Sequence, residues 1–98
     1  MVEAATNELI ASNKVMMFSK SWCPHCNTAK QTLTNRGIQF AVQELDQVNN
    51  GNEIQAYLLA KTSQRTVPSI FINQEHIGGN SDLTTIANNG QLDAKMAE

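Results

Sequence analysis

The apolar positions of this chain predict four short strands, at residues 15–18, 38–42, 70–72 and 76–77. The first is a continuous apolar run, Val15–Phe18, which is typical of a strand covered on both faces. In the second, Ile38, Phe40 and Val42 alternate with polar or small residues. A tight Asn73-Gln74 turn joins the last two strands, so we expect these strands to form an antiparallel hairpin.

Between the strands, apolar residues recur at helical spacing. The predicted helices cover residues 3–12, 24–35, a segment starting at 52 or 53, and two short segments around 83–87 and 92–96. The first two strands are connected through a helix, so they should be parallel with a right-handed crossover. The sequence therefore predicts an α/β fold with a mixed four-stranded sheet and helices on both faces.

Length and composition indicate one small domain covering residues 1–98. The chain is 41% hydrophobic and 16% charged, with a formal net charge of −2. No cluster of Lys and Arg is present, which argues against nucleic acid as a partner. The longest apolar run is too short for a signal peptide or a membrane span, so neither a membrane partner nor secretion is expected. We expect a monomeric cytoplasmic protein.

The segment Trp22–Cys26 contains Cys23 and Cys26, the only two cysteines. A thiol pair at this spacing is either a redox couple or half of a metal site. Pro24 suits the first turn of a helix, which would place Cys23 at a helix N-terminus, where a thiolate is stabilised. Zinc needs four ligands, and only His25 and His76 remain as nitrogen donors. His25 lies between the two cysteines in the sequence, where it is poorly placed to complete the same tetrahedron. We therefore favour the redox couple and expect no metal.

Three separated segments resemble the signature segments of dithiol glutaredoxins. They are Lys20–Cys26, Arg65–Pro68 and Gly78–Leu83, in the order and at the spacing of that family. The resemblance implies a thioredoxin fold, glutathione as the reducing cosubstrate, and no permanently bound cofactor. The chain departs from the family at two places. His25 replaces the usual tyrosine, and Asn73-Gln74 replaces the usual Asn-Gly, which should affect only a hairpin turn.

His25 has two interpretations. An imidazole near Cys23 could stabilise the thiolate and make the disulfide more oxidising. Alternatively, His25 is an exposed side chain that replaces tyrosine at the rim of a binding groove. Comparing the protein with its His25→Tyr variant separates these interpretations.

The resemblance also implies which residues bind glutathione: Lys20, Gln55, Thr66, Val67, Pro68, Ser81 and Asp82. Lys20 and Gln55 would hold the glycine carboxylate. The Val67–Pro68 peptide would be cis, with the backbone N–H and C=O of Val67 free to pair with the cysteinyl unit. Ser81 and Asp82 would bind the γ-glutamyl end.

Several residues in and near these segments also have a simpler structural explanation. Lys20 is a solvated surface charge in that case, and Pro68 is a trans proline that only starts a strand. Asn80 or Ser81 would cap the following helix, with Asp82 as a favourable acid in its first turn. Trp22 either lines the groove or is partly buried by packing.

The resemblance implies a glutathione-dependent thiol–disulfide oxidoreductase. Cys23 would be the nucleophile that attacks protein–glutathione mixed disulfides, and Cys26 would resolve intermediates formed with protein disulfides. The partners are then glutathione and glutathionylated or disulfide-containing proteins. A second hypothesis is a carrier or sensor that binds a 2Fe–2S cluster through Cys23 and glutathione. Pro24 argues against it, since cluster-binding members usually have a small flexible residue there.

Overall fold

In a computed structural model, which describes residues 1–98, nine elements follow one another in the predicted order. The helices are α1 Val2–Ser12, α2 Pro24–Asn35, α3 Gly51–Thr62, α4 Asn80–Asn88 and α5 Gln91–Met96. The strands are β1 Val15–Ser19, β2 Ala41–Glu44, β3 Ser69–Ile72 and β4 Glu75–Gly78. None of the helices combines the length and apolar character that a membrane-spanning segment requires.

The four strands form a single mixed sheet in the order β2-β1-β3-β4. The pair β1–β2 is parallel, with Met16 opposite Ala41. The pairs β1–β3 and β3–β4 are antiparallel, and Phe18 lies opposite Ser69 at the end of β1. These pairings confirm the predicted mixed sheet with a parallel first pair and a terminal hairpin.

The central strand β1 divides the core into two layers. Its side chains alternate between the faces of the sheet, because successive residues of a strand point in opposite directions. Val15 and Met17 pack with apolar residues of α2, α4 and α5, whereas Met16 and Phe18 pack with residues of α1 and α3. All five β1 residues are buried, so the expectation of a strand covered on both faces is confirmed.

The second strand begins three residues later than the alternation predicted. Helix α2 ends in a Schellman motif, in which the N–H of Gly37 donates to Thr34 O and the N–H of Ile38 donates to Leu33 O. Gly37 has a φ of 71°, which explains why glycine occupies this position. The apolar side chain of Ile38 therefore packs against the core cluster that contains Leu33 as part of the helix end, not as part of a strand.

Val42 was predicted to share a face with Ile38 and Phe40, and this prediction is wrong. Phe40 packs against the core from outside the strand, whereas Val42 lies in β2 and is 37% exposed. The strand β2 is at the edge of the sheet and pairs with a neighbouring strand on one side only, so its side chains are less covered than those of β1.

The turn of the β3–β4 hairpin has φ values of 51° at Asn73 and 67° at Gln74. Positive φ at both central residues is the requirement of a type I′ turn. Gln74 thus occupies a position that favours glycine. The strand register places this turn beside the start of β1, at the opposite end of the sheet from the Cys23 segment, so the departure from Asn-Gly is confined to the turn.

Candidate active site

Cys23 caps the N-terminus of α2. Its φ of −85° and ψ of 118° are extended, Pro24 occupies the first turn, and its Sγ accepts a hydrogen bond from the Cys26 N–H at 3.3 Å. The sulfur therefore lies at the positive end of the α2 dipole, where an anion is stabilised. The expectation that Cys23 begins a helix is confirmed.

The two thiols differ in burial and in chemistry. Both are free, but Cys26 is fully buried whereas Cys23 retains 5% exposure. Burial, together with the hydrogen bond to Cys23, raises the pKa of the Cys26 thiol above its ordinary value. Cys26 therefore stays protonated at neutral pH, and Cys23 is the sulfur that a substrate can reach.

The turn that leads from β1 to Cys23 is anchored by Asp46. This carboxylate accepts hydrogen bonds from the Ser21 backbone N–H at 3.0 Å and from the Ser21 hydroxyl. These hydrogen bonds hold the pKa of Asp46 below its usual value. Because Asp46 follows the edge strand β2, the contact ties the active-site turn to the sheet.

The segment Thr66–Pro68 lies against the sulfur of Cys23. The Val67–Pro68 peptide is cis, as the resemblance implied, and the Val67 carbonyl oxygen is 3.9 Å from Cys23 Sγ. None of the backbone hydrogen bonds of turns, loops and caps involves Val67. Its N–H has no backbone partner and its C=O accepts only from the Cys23 thiol, so both can pair with an extended ligand backbone at the reactive sulfur.

A groove of about 740 Å³ runs from this segment to the start of α4. It is lined by fourteen residues, only two of them hydrophobic: His25, Thr62, Ser63, Gln64, Thr66, Val67, Pro68, His76, Ile77, Gly78, Gly79, Asn80, Ser81 and Asp82. Five of the seven residues predicted to bind glutathione are among them. The other two, Lys20 and Gln55, are not.

Contacts outside the groove hold these two side chains. The Lys20 ammonium lies 5.7 Å from the ring centroid of Trp22, within the range of a cation–π interaction. Gln55 donates a hydrogen bond from Nε2 to the Arg65 carbonyl at 2.9 Å and so supports the segment before Thr66. A carboxamide has two N–H donors, so Gln55 keeps one for a ligand.

Two aromatic side chains flank the nucleophile. Trp22 is 67% exposed and is not among the residues that line the groove, so neither a partly buried packing role nor a place in this groove is found for it. His25 is exposed and lines the groove. Its position is that of a rim residue, and it makes no hydrogen bond within the chain that would fix the ring on Cys23. The cysteines and histidines do not come together as a cluster able to hold a metal ion.

The far end of the groove is the N-terminus of α4. The prediction that Asn80 or Ser81 is the N-cap of α4 is wrong. The N-cap is Gly79, whose N–H donates to Asp82 Oδ2 at 3.0 Å. The Asp82 side chain satisfies a free donor at the helix start, which explains the acid at this position. Asn80 Oδ1 is buried and has no hydrogen-bond partner.

Sequence reasoning missed Gln64 as a site residue, and it considered His76 only as a metal ligand. Both line the groove and are hydrogen-bonded to each other. The only signal for Gln64 was its position next to the Arg65–Pro68 segment. The contact joins residues twelve positions apart across the β3–β4 hairpin, which hydrophobic periodicity does not reveal.

Comparisons with known proteins agree with this geometry. The family model described as glutaredoxin matches residues 15–77. Glutaredoxin-2 of Schizosaccharomyces pombe is 48% identical over 96 residues, which cover 98% of this chain and 87% of the relative. A glutaredoxin of Ricinus communis is 43% identical over 98 residues, covering 100% of this chain and 96% of the relative.

Solved structures extend the likeness to the backbone. A wheat glutaredoxin superposes with a TM-score of 0.96 at 43% identity, covering 99% of this chain and 92% of that one. A buckwheat glutaredoxin in complex with glutathione gives a TM-score of 0.93 at 36% identity, covering 98% and 86%. The predicted thioredoxin fold is thereby confirmed.

Proposed function

The chain belongs to the glutaredoxin family of thiol oxidoreductases, and we propose that it uses glutathione to reduce protein–glutathione mixed disulfides and protein disulfides. The observation that carries this proposal is the Val67 peptide group, which has no backbone partner and whose carbonyl oxygen is 3.9 Å from Cys23 Sγ. A related glutaredoxin has been crystallised with glutathione. An unpaired peptide beside a reactive sulfur suits the cysteinyl unit of a peptide thiol.

The first step is attack by the Cys23 thiolate on the glutathionyl sulfur of a mixed disulfide. A bond forms between Cys23 and that sulfur, the glutathione–client bond breaks, and the client thiolate leaves and takes up a proton. A second glutathione thiolate then attacks the glutathionyl sulfur. This step releases oxidised glutathione and returns Cys23 as a thiolate. One reduced glutathione is consumed, and the mixed disulfide is exchanged for the client thiol and oxidised glutathione.

Protein disulfides require Cys26. Attack by Cys23 on such a substrate forms a mixed disulfide with the client, and Cys26 attacks Cys23 Sγ to release the reduced client. The buried Cys26 lies beside this sulfur, as the 3.3 Å contact from its backbone N–H shows. Its raised pKa keeps it from competing as the first nucleophile. Two glutathione molecules reduce the resulting Cys23–Cys26 disulfide.

The groove supplies complementary groups for the γ-glutamyl end of glutathione. Free N–H groups at the start of α4 and the Ser81 hydroxyl suit the carboxylate. The Asp82 carboxylate and the buried, unpartnered Asn80 Oδ1 suit the ammonium group. At the other end, Lys20 would have to leave Trp22 to reach the glycine carboxylate, whereas Gln55 needs only its remaining N–H.

A pair of coupled assays tests the proposed cosubstrate. We expect turnover of a glutathionylated model disulfide with glutathione and glutathione reductase. We expect little turnover with thioredoxin reductase, because the groove matches a tripeptide thiol and not a protein surface. Turnover only with thioredoxin reductase would move the protein to the thioredoxin class.

The 2Fe–2S alternative gains no support from the site, since Pro24 occupies the first turn of α2.

His25 is tested by its exchange for tyrosine. If the imidazole stabilises the thiolate of Cys23, His25→Tyr should make the reduction potential of the disulfide more negative and slow the alkylation of Cys23 at neutral pH. Exchange of the exposed Asn27 for alanine, in the same helix, is the matched control. If both quantities are unchanged in His25→Tyr, the residue only forms the rim of the groove.

A further inference from the structure

The carboxamide of Gln64 contacts both ends of the segment Thr66–Pro68. Its Nε2 donates to the Pro68 carbonyl at 2.7 Å and to the Thr66 carbonyl at 3.0 Å. These two carbonyls flank Val67, whose own carbonyl lies beside Cys23 Sγ. One side chain therefore fixes the backbone on either side of the peptide that faces the nucleophile.

The other end of this carboxamide contacts His76. Gln64 Oε1 lies 2.8 Å from His76 Nε2, and the imidazole packs against the Phe71 ring with centroids 5.3 Å apart. His76 is thus held in place by its backbone in β4 and by the ring of Phe71 in β3. The imidazole of His76 contacts the Thr66–Pro68 segment through the Gln64 carboxamide.

Hydrogen-bonding chemistry fixes the orientation of every group in this chain of contacts. Carbonyl oxygens only accept, so the Gln64 amino group must face Thr66 and Pro68. Gln64 Oε1 then faces His76, which must donate from Nε2. Burial lowers the pKa of His76, against the opposing effect of Asp82, so the imidazole is neutral at neutral pH. A neutral imidazole that donates from Nε2 has no proton on Nδ1.

We propose that Gln64 and His76 are positioning residues for the binding of glutathione, His76 orienting the Gln64 carboxamide and Gln64 holding the Val67 peptide against Cys23. The inference rests on the proposed function, since it concerns the segment that would pair with the cysteinyl unit. Neither side chain contacts a reacting atom. They act by fixing the backbone conformation of the segment Thr66–Pro68 before glutathione binds.

The first test is the near-isosteric Gln64→Glu variant, which replaces the donor group by an oxygen facing two carbonyls. The KM for glutathione should rise about two- to tenfold, the loss expected for one or two hydrogen bonds. The kcat should change by less than about twofold, because the segment binds the ground state and the transition state alike. Gln31→Glu makes the same charge change on an exposed position of α2 and should leave both constants unchanged.

A double-mutant cycle tests whether His76 acts through Gln64. His76→Phe keeps an aromatic ring on Phe71 but removes the donor. It should raise the KM for glutathione in the wild-type background and have no further effect in a Gln64→Ala background. Equal effects in the two backgrounds would overturn the proposal. Thermal unfolding of each variant identifies any that fail to fold.

A measurement on the unmodified protein needs neither a variant nor turnover. At about pH 8, above the reference histidine pKa of about 6.5, a ¹⁵N–¹H correlation spectrum of the imidazoles should show His76 protonated on Nε2 only. A proton on Nδ1 instead would overturn the proposal. Wild-type protein without glutathione-dependent turnover would refute the proposed function and this inference together. Wild-type turnover with an unchanged KM in Gln64→Glu would refute the inference alone.

Discussion

Replacing Cys23 with serine should lower the rate of deglutathionylation by at least about a thousandfold, because the variant has no nucleophilic sulfur outside the buried core. A serine hydroxyl at the N-terminus of α2 is not ionised at neutral pH and forms no disulfide. The glutathione-coupled assay measures the loss. The N-cap hydrogen bond to the Cys26 N–H can be made by the serine oxygen, so the fold should be retained.

Cys26→Ser is the matched variant, and it should retain much of the deglutathionylation activity while losing reduction of protein disulfides. Its site is fully buried, whereas Cys23 retains an exposed edge beside Val67. Thermal unfolding of the two variants controls for a general loss of structure. If Cys26→Ser were inactive in deglutathionylation and Cys23→Ser active, the assignment of nucleophile and resolving thiol would be reversed.

Gly51→Ala should destabilise the fold by about 3 kcal/mol or more, which corresponds to a fall in Tm of about 12 °C or more for a domain of this size. A Cβ at this position would lie 1.8 Å from the Leu45 carbonyl oxygen. Leu45 cannot move aside easily, because its side chain is in the core and its N–H donates to Ser19 O at 2.8 Å. Urea denaturation followed by circular dichroism measures the change.

Asn52→Ala is the control for this steric effect. It changes the neighbouring residue in the first turn of α3 to the same side chain, at an exposed position. Its free energy of unfolding should lie within about 0.5 kcal/mol of the wild type. If Gly51→Ala were as stable as Asn52→Ala, the close approach of α3 to the end of β2 would be incorrect.

The sequence predicted the elements well where one local cause decided them. The run Val15–Phe18 is apolar on both faces because β1 lies in the centre of the sheet between two helical layers. Pro24 and Gly37 set the bounds of α2 through their own backbone preferences. The second strand was misplaced because Ile38 and Phe40 are partly buried although they lie in a loop. Alternation of apolar residues indicates burial, but it does not show whether the buried residues belong to a strand.

The candidate site was predictable only in part, because local motifs identify single segments but not the contacts between residues that are distant in the sequence. Val67, Ser81 and Asp82 lie in segments with recognisable motifs, and the structure brings them to one groove. Two other predicted residues do not line this groove and make contacts that the motifs do not encode, Lys20 with Trp22 and Gln55 with Arg65. The Gln64–His76 contact depends on the pairing of β3 with β4 and becomes visible only in three dimensions.

The central claim is that Cys23 carries glutathione, and the most direct measurement is the intact mass of Cys26→Ser after incubation with oxidised glutathione. In that variant Cys23 is the only cysteine. The account predicts the gain of one glutathionyl group, located on Cys23 by peptide mapping and removed by added glutathione. A protein whose mass stays unchanged under these conditions would contradict the account.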